Sequence, residues 1–142
     1  TFLLDDVGIV WWCGKDCCRP ASPGSAKLAF VPGVPPFQAI ACGGGHVLAL
    51  DSDGGVWGWG KNTSGQLGSD PGLAEAAELS PHRIDNLPAC RKVVAGMAHS
   101  LVATKEGTVL AFGDHRLYST GLALPPNTCF HFQPTLCPQL DI

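Results

Sequence analysis

The chain has 142 residues, of which 15% are charged and 45% are hydrophobic, and its formal net charge is −3. A typical domain carries about 25% charged residues, so this low charge predicts that much of the surface is covered by more protein. The longest basic run is the pair Arg91-Lys92. That excludes the basic stripe needed for sequence-independent nucleic-acid binding and the polybasic segment needed for membrane attachment. The apolar runs are short and interrupted, so no membrane insertion is predicted.

The first predicted element is a β-hairpin, with strands at residues 2–4 and 9–14 around the turn Asp5-Asp6-Val7-Gly8. An irregular loop, 15–25, contains two prolines. It precedes candidate strands at 28–31 and 37–42. The three prolines of residues 32–36 exclude that stretch from a central strand. We assign 37–42 as the fourth strand of this first unit.

The second hairpin is the clearest element of the chain. Its strands, 47–50 and 56–59, are rich in β-branched and aromatic residues. Its turn is Asp51-Ser52-Asp53-Gly54, in which Asp can bond its own backbone and Gly accepts positive φ.

Residues 69–80 are predicted to form a loop insertion. Within it, 73–79 has good helix formers but is too short to be a stable helix alone. Insertions in repeat proteins often carry binding surface. A solvent-exposed loop without a function explains the stretch equally well. On the first interpretation, the candidate partner-contact residues are Leu73, Glu75, Glu78 and Leu79.

Strands at 81–84 and 92–95 lead to a third hairpin, with strands at 100–103 and 108–112. A last candidate strand covers 132–136. Gly14, Gly60 and Gly113 align the three hairpins at spacings of 46 and 53 residues.

The sequence therefore divides into three repeat units, approximately 1–45, 46–98 and 99–142. Each unit has about four short strands, which predicts an all-β protein built from four-stranded antiparallel propeller blades. A propeller closes with about four to eight blades. Three blades leave two faces uncovered, so we expect a partial propeller: a piece of a longer protein, or one completed by a partner.

The middle repeat combines Cys42-Gly43-x-x-His46, the turn glycine Gly54, Val56-x-x-Trp59-Gly60, Asn62 and Gly65-Gln66-Leu67-Gly68. This pattern resembles the repeat of the regulator of chromosome condensation family. Its third copy departs from the pattern at Tyr118-Ser119-Thr120-Gly121, and its first copy lacks that last motif. The resemblance implies a seven-bladed β-propeller. The positions that carry it, or recur with it in the other two copies, are Gly8, Trp11, Gly14, Gly43, His46, Gly54, Trp57, Trp59, Gly60, Asn62, Gly65, Gln66, Leu67, Gly68, Gly96, His99, Gly107 and Gly113.

The resemblance implies a fold more firmly than a function. A protein–protein interaction scaffold is the function we favour. One alternative is guanine-nucleotide exchange on a Ran-like or other Ras-like small GTPase, the activity of the founding member. Another is a structural role in a large cytoskeletal, ciliary or organelle assembly.

Repetition also decides how the conspicuous side chains are interpreted. His46 and His99 share a repeat position, which favours a hydrogen bond that ties one strand or blade to its neighbour over catalysis or metal binding. Trp11 and Trp57 align with Leu110, which favours packing over a light-sensing role. The carboxylates of the hairpin turns are explained by turn chemistry. Asn62-Thr63-Ser64 is formally a glycosylation acceptor.

The seven cysteines have irregular spacings and no Cys-x-x-Cys pair. Buried, reduced thiols in an intracellular protein are the favoured interpretation, with disulfides in a secreted domain as the alternative. No catalytic, cofactor-binding or metal-binding residue is predicted. The expected partners are proteins.

Overall fold

The computed structural model describes residues 1–14, 25–70, 77–116, 120 and 130–137. In that part of the chain, no helix is long and apolar enough to cross a membrane. The same residues form eleven β-strands. They are β1 (Phe2–Leu4), β2 (Val10–Gly14), β3 (Ser25–Phe30), β4 (Phe37–Cys42), β5 (His46–Asp51), β6 (Val56–Lys61), β7 (Ala77–Arg83), β8 (Cys90–Ala95), β9 (His99–Thr104), β10 (Val109–Asp114) and β11 (Phe130–Leu136).

These strands form three antiparallel sheets in chain order: β1-β2-β3, then β4-β5-β6-β7, then β8-β9-β10-β11. The prediction of an all-β chain built from propeller blades is confirmed. The predicted repeat units do not coincide with the sheets, because the divisions at 45/46 and 98/99 fall between the first and second strands of a sheet.

The assignment of residues 37–42 to the first unit is wrong. This stretch is β4 and pairs with β5, from Phe37 opposite Asp51 to Cys42 opposite Val47. The proline-rich segment before it carries the chain from the first sheet to the second, where Phe37 of β4 is buried. The first sheet therefore has three strands in the part of the chain described.

The predicted loop insertion at 69–80 is also partly wrong. Strand β7 begins at Ala77, and its residues pair with the end of β6, where Lys61 lies opposite Ala77 and Gly60 opposite Glu78. Ladder hydrogen bonds along β6 outweigh the helix propensity of this stretch. Glu78 and Leu79 therefore lie in an edge strand, whereas Leu73 and Glu75 lie outside the described residues. Of the predicted loop at 15–25, residues 15–24 also lie outside the described residues, and Ser25 begins β3.

The core lies between the sheets. The second sheet buries one face against the first sheet and the other face against the third. We call these two interfaces the first seam (between the first and second sheets) and the second seam (between the second and third). The buried residues of the first seam are Val10, Trp12, Val31, Phe37, Val47, Ala49 and Trp59. Those of the second seam are Leu48, Leu50, Val56, Leu67, Ile84, Cys90, Val93, Val102 and Phe112.

Candidate protein-interaction site and the seams that support it

The turn glycines of the hairpins join each sheet to the next. The Phe37 amide donates to the Gly8 carbonyl oxygen at 2.9 Å, and the Cys90 amide donates to the Gly54 carbonyl oxygen at 2.8 Å. Both glycines have positive φ, +85° and +92°. A Cβ at either position would lie 2.7 Å from the Phe37 or Cys90 carbonyl oxygen. Only glycine fits both the backbone conformation and the close approach.

The turn carboxylate Asp51 organises its own hairpin. Its Oδ1 accepts hydrogen bonds from the amides of Asp53, at 3.0 Å, and Gly55, at 2.7 Å, while its Oδ2 accepts one from Trp57 Nε1 at 3.0 Å. Burial, the largest influence, would raise the pKa of Asp51. The hydrogen bonds and the charge of Arg83 together outweigh burial and lower the pKa below its ordinary value.

The first hairpin repeats this arrangement. Asp5 Oδ1 accepts from the amides of Val7 and Ile9, and Asp5 Oδ2 accepts from Trp11 Nε1 at 2.8 Å. In the third hairpin, Thr104 takes the place of the carboxylate and its Oγ1 accepts from the Thr108 amide at 3.1 Å. Where the acid is absent, the matching Trp is also absent. The Asp5 and Asp51 carboxylates therefore stabilise their own turns, and each accepts a hydrogen bond from one of the two tryptophans.

Replacing Asp51 with asparagine is expected to lower the free energy of unfolding by about 1–3 kcal/mol, because the amide nitrogen would oppose the Trp57 donor and leave it unpaired. Urea unfolding of the full-length protein measures this. Asp53→Asn is the matched control, since that side chain is exposed in the same turn. Equal losses for the two variants would contradict the role assigned to Asp51.

The Gly-x-x-His motif packs an imidazole over a glycine. A Cβ at Gly43 would lie 2.4 Å from His46 Cε1, and one at Gly96 would lie 2.2 Å from His99 Cε1. His46 has no exposed surface. Its Nε2 lies 2.9 Å from Ser100 Oγ, which donates to the Gln66 carbonyl oxygen at 2.7 Å. This chain of bonds crosses the second seam, from β5 to β9 and back to the loop that follows β6.

Burial and, to a smaller extent, the charge of His99 together lower the pKa of His46 to about 4, against a backbone hydrogen bond with His99 that raises it. Burial also lowers the pKa of His99, which Asp114 partly offsets. Both imidazoles are therefore neutral near pH 7.

The loop after β6 is closed by two amide side chains. Asn62 Oδ1 accepts from the Leu67 amide at 2.9 Å, and Asn62 Nδ2 donates to Ser69 Oγ at 2.8 Å. Gln66 Oε1 accepts from the Ser64 amide at 2.8 Å. Asn62 has no exposed surface, so the formal glycosylation acceptor is not accessible in this fold.

In the third repeat, His115 stands in the place of Asn62. His115 Nδ1 lies 2.5 Å from Thr120 Oγ1. The third repeat, which departs from the motif at 118–121, therefore uses a different pair of side chains at this position. The remaining motif glycines have positive φ, which other residues rarely adopt. They are Gly14, Gly60, Gly65, Gly68, Gly107 and Gly113.

Comparison with known proteins agrees with this geometry. Two family models described as the regulator of chromosome condensation (RCC1) repeat match residues 37–66 and 53–103. The segment 37–103 belongs to the RCC1 repeat family. The matched residues include the turn of the second hairpin, the loop closed by Asn62 and both Gly-x-x-His motifs.

Individual relatives share only a part of their length with this chain. The human protein named "Probable E3 ubiquitin-protein ligase HERC6" is 34% identical over 80% of this chain, which spans 11% of that protein. The crystal structure of human WBSCR16 superposes with a TM-score of 0.78 at 22% identity, covering 95% of this chain and 34% of that one. Yeast Prp20p gives 0.78 at 23% identity, with 96% and 35% covered. At these identities the structures show the fold alone.

At one end of the sheets, exposed residues lie that the RCC1 repeat motif does not use. The loops 42–46 and 95–99 meet there, and the Gly44 amide donates to the carbonyl oxygens of Gly96 and Met97. The Met97 side chain, in the connection between β8 and β9, is 79% exposed. Sequence reasoning missed this methionine because it occupies a variable position of the Gly-x-x-His motif.

The chemistry of the described residues suits contact rather than catalysis at this end. A cavity of about 190 Å³ lies beside the loop, lined in part by Phe2, Cys42 and His46. It is smaller than the about 300–1,000 Å³ typical of small-molecule sites. Within the described ranges, no group of three or more His, Cys, Asp or Glu side chains could hold a metal ion.

Proposed function

We propose that this chain is part of a protein–protein interaction scaffold. One observation carries the proposal: the recurring side chains are engaged within turns or across seams, as with Asp51 on Trp57 and His46 on Ser100. Such a framework leaves partner recognition to the connections between strands, which differ from repeat to repeat. Loops held on a rigid scaffold are the usual place for binding residues.

The proposed contact surface lies at the end of the sheets that carries Met97. The segment between β6 and β7 begins at this same end, because the Lys61 amide donates to the Gly45 carbonyl oxygen at 2.7 Å. Leu73 and Glu75 are proposed contact residues on this segment. Glu78 and Leu79 are proposed only as the edge strand that anchors it.

Replacing residues 71–76 with a Gly/Ser segment of equal length is expected to weaken binding of the native partner by about tenfold or more, which corresponds to about 1.4 kcal/mol. The partner would first be identified by affinity capture of the full-length protein from its native cells. Its affinity for each purified variant would then be measured by calorimetry.

Val7→Ser provides the control for this experiment. Val7 is 64% exposed in the turn of the first hairpin, at the opposite end of the sheets, so its replacement should leave the affinity unchanged. Unchanged affinity after the loop replacement would remove residues 71–76 from the contact surface. Lost affinity in both variants, with intact folding, would place the contact elsewhere.

Guanine-nucleotide exchange is the second candidate function. The observation that favours it is the fold shared with yeast Prp20p, whose structure was described together with its binding to Gsp1p and histones. Faster nucleotide release from a small GTPase in the presence of the full-length protein would support exchange. Capture of a stoichiometric set of partners that is indifferent to nucleotide would support the scaffold or a structural assembly.

We also propose an intracellular location. Among the described residues, Cys90 and Cys137 are buried thiols that form no disulfide. Burial raises the pKa of Cys90 to about 11 and raises that of Cys137. Such thiols remain protonated and unreactive at neutral pH, as expected of core positions in a reducing compartment.

A further inference from the structure

The hydrogen bonds around His46 define its tautomer. Ser100 has one hydroxyl proton, and it donates that proton to the Gln66 carbonyl oxygen. Ser100 Oγ must therefore accept from His46, so the proton of the neutral imidazole is assigned to Nε2. Nδ1 is then an unprotonated, fully buried nitrogen. It has no hydrogen-bond partner among the residues that the structure describes.

We propose that His46 is a pH-sensitive lock on the second seam: protonation of its buried Nδ1 breaks the bonds through Ser100 to Gln66 and opens this seam before the first one. The added proton would sit where the described structure offers it no acceptor. A charged imidazole is therefore accommodated only when the ring leaves its place over Gly43 and reaches water.

The groups that surround the ring favour this outcome. His99, on β9, is the neighbour whose positive charge opposes a charge on His46. Asp114 lies beyond His99, and its carboxylate is already held by Arg116, whose Nε donates to Asp114 Oδ2 at 2.9 Å. Lys61, on β6, packs its side-chain carbons toward Gly45. Cys42 lines the same cavity as the ring. Among the described residues, the charge that acts on His46 is therefore that of a second imidazole, and the carboxylate beyond that imidazole is paired with Arg116.

The first seam is packed differently from the second, so acidification should affect the two seams differently. Val47 stands where the third repeat has Ser100, and the space is filled by Trp59, which stacks on Phe37 with ring centroids 6.5 Å apart. Packing of this kind does not depend on a proton. Acidification should therefore weaken the second seam selectively.

Linkage gives the direction and the pH window. The folded pKa of His46, about 4, lies below the ordinary value of 6.5, so the opened state binds the proton more tightly. Protection of the seam is complete above about pH 6.5, falls between that pH and about 4, and is constant below it. Between about pH 7.5 and about pH 5, the opening equilibrium should rise by about 30-fold.

Hydrogen-exchange mass spectrometry of the full-length protein, corrected for intrinsic exchange rates, tests this. Peptides containing residues 43–46 and 96–100 report the second seam, where the Gly44 amide bonds to Gly96. Peptides containing Phe37, whose amide bonds to Gly8, report the first. We expect the fall in protection on acidification to be about 30-fold at the second seam and at least severalfold smaller at the first. An equal fall at both seams, or none at the second, would overturn the proposal.

Two variants separate the lock from a general acid effect. His46→Gln can still donate to Ser100 but cannot be protonated, so most of the fall in protection should disappear and only the smaller part due to His99, whose pKa burial also lowers, should remain. His99→Gln removes the neighbouring charge and should reduce the fall without abolishing it. A full fall persisting in His46→Gln would refute the role of this ring.

A measurement on the unaltered protein remains decisive if His46→Gln does not fold. The ¹⁵N chemical shifts of selectively labelled histidine report which ring nitrogen carries the proton. We expect His46 to be protonated at Nε2 near neutral pH. A proton on Nδ1 would mean that the bond to Ser100 runs the other way, and the proposal would fail.

Discussion

Replacing Trp59 with alanine is expected to lower the free energy of unfolding by about 3–5 kcal/mol, as is typical when a large core aromatic is truncated. Trp59 has no exposed surface. It packs edge-on against Phe2, with ring centroids 5.9 Å apart, and stacks on Phe37. Its removal would leave a cavity in the first seam, where two sheets rather than one would have to adjust. Urea unfolding of the full-length protein, followed by circular dichroism, measures the loss.

Trp59→Phe is the matched control. The indole Nε1 has no hydrogen-bond partner among the described residues, so phenylalanine removes a buried polar group that contributes no bond. Phe112 fills the same repeat position and is fully buried in the second seam. We therefore expect a loss below about 2 kcal/mol. If Trp59→Phe were as costly as Trp59→Ala, the cavity argument would be wrong and an unseen polar contact would be implied.

Replacing Gly54 with alanine is the second substitution with a large expected effect, about 2–5 kcal/mol. Its φ of +92° costs an L-residue about 1–2 kcal/mol. The new Cβ would also lie 2.7 Å from the Cys90 carbonyl oxygen, and relief of that clash requires the third sheet to move away from the turn. The hydrogen bond from the Cys90 amide to Gly54 would lengthen at the same time.

Gly33→Ala separates the two contributions. Gly33 has a φ of +73°, and a Cβ there would meet no described atom within 4 Å. This variant should therefore lose only the backbone contribution, about 1–2 kcal/mol. The difference between the two variants measures the contact between the turn and the next sheet. Identical losses in thermal unfolding would show that Gly54 is required for its φ alone.

Features set by neighbouring residues could be predicted from the sequence. The turns at Gly8 and Gly54 were predicted from Asp and Gly residues whose turn chemistry acts within four or five residues, and both glycines have positive φ in the structure. The apolar, β-branched and aromatic residues of the second hairpin predicted its two strands, and this preference is also local. The fold class followed from repetition of that local pattern, and the family models agree with it.

The sequence by itself thus determined the hairpins, their repetition and the propeller class, because each depends on short-range backbone preferences that any copy of the motif shares. Only the tertiary structure decided which sheet takes residues 37–42 and that Ala77 begins a strand, because ladder pairing is settled by the edge available in space. The same holds for the partner of His46. Ser100 lies 54 positions further along the chain, and no local pattern reports which hydroxyl will reach a given ring once two sheets pack together.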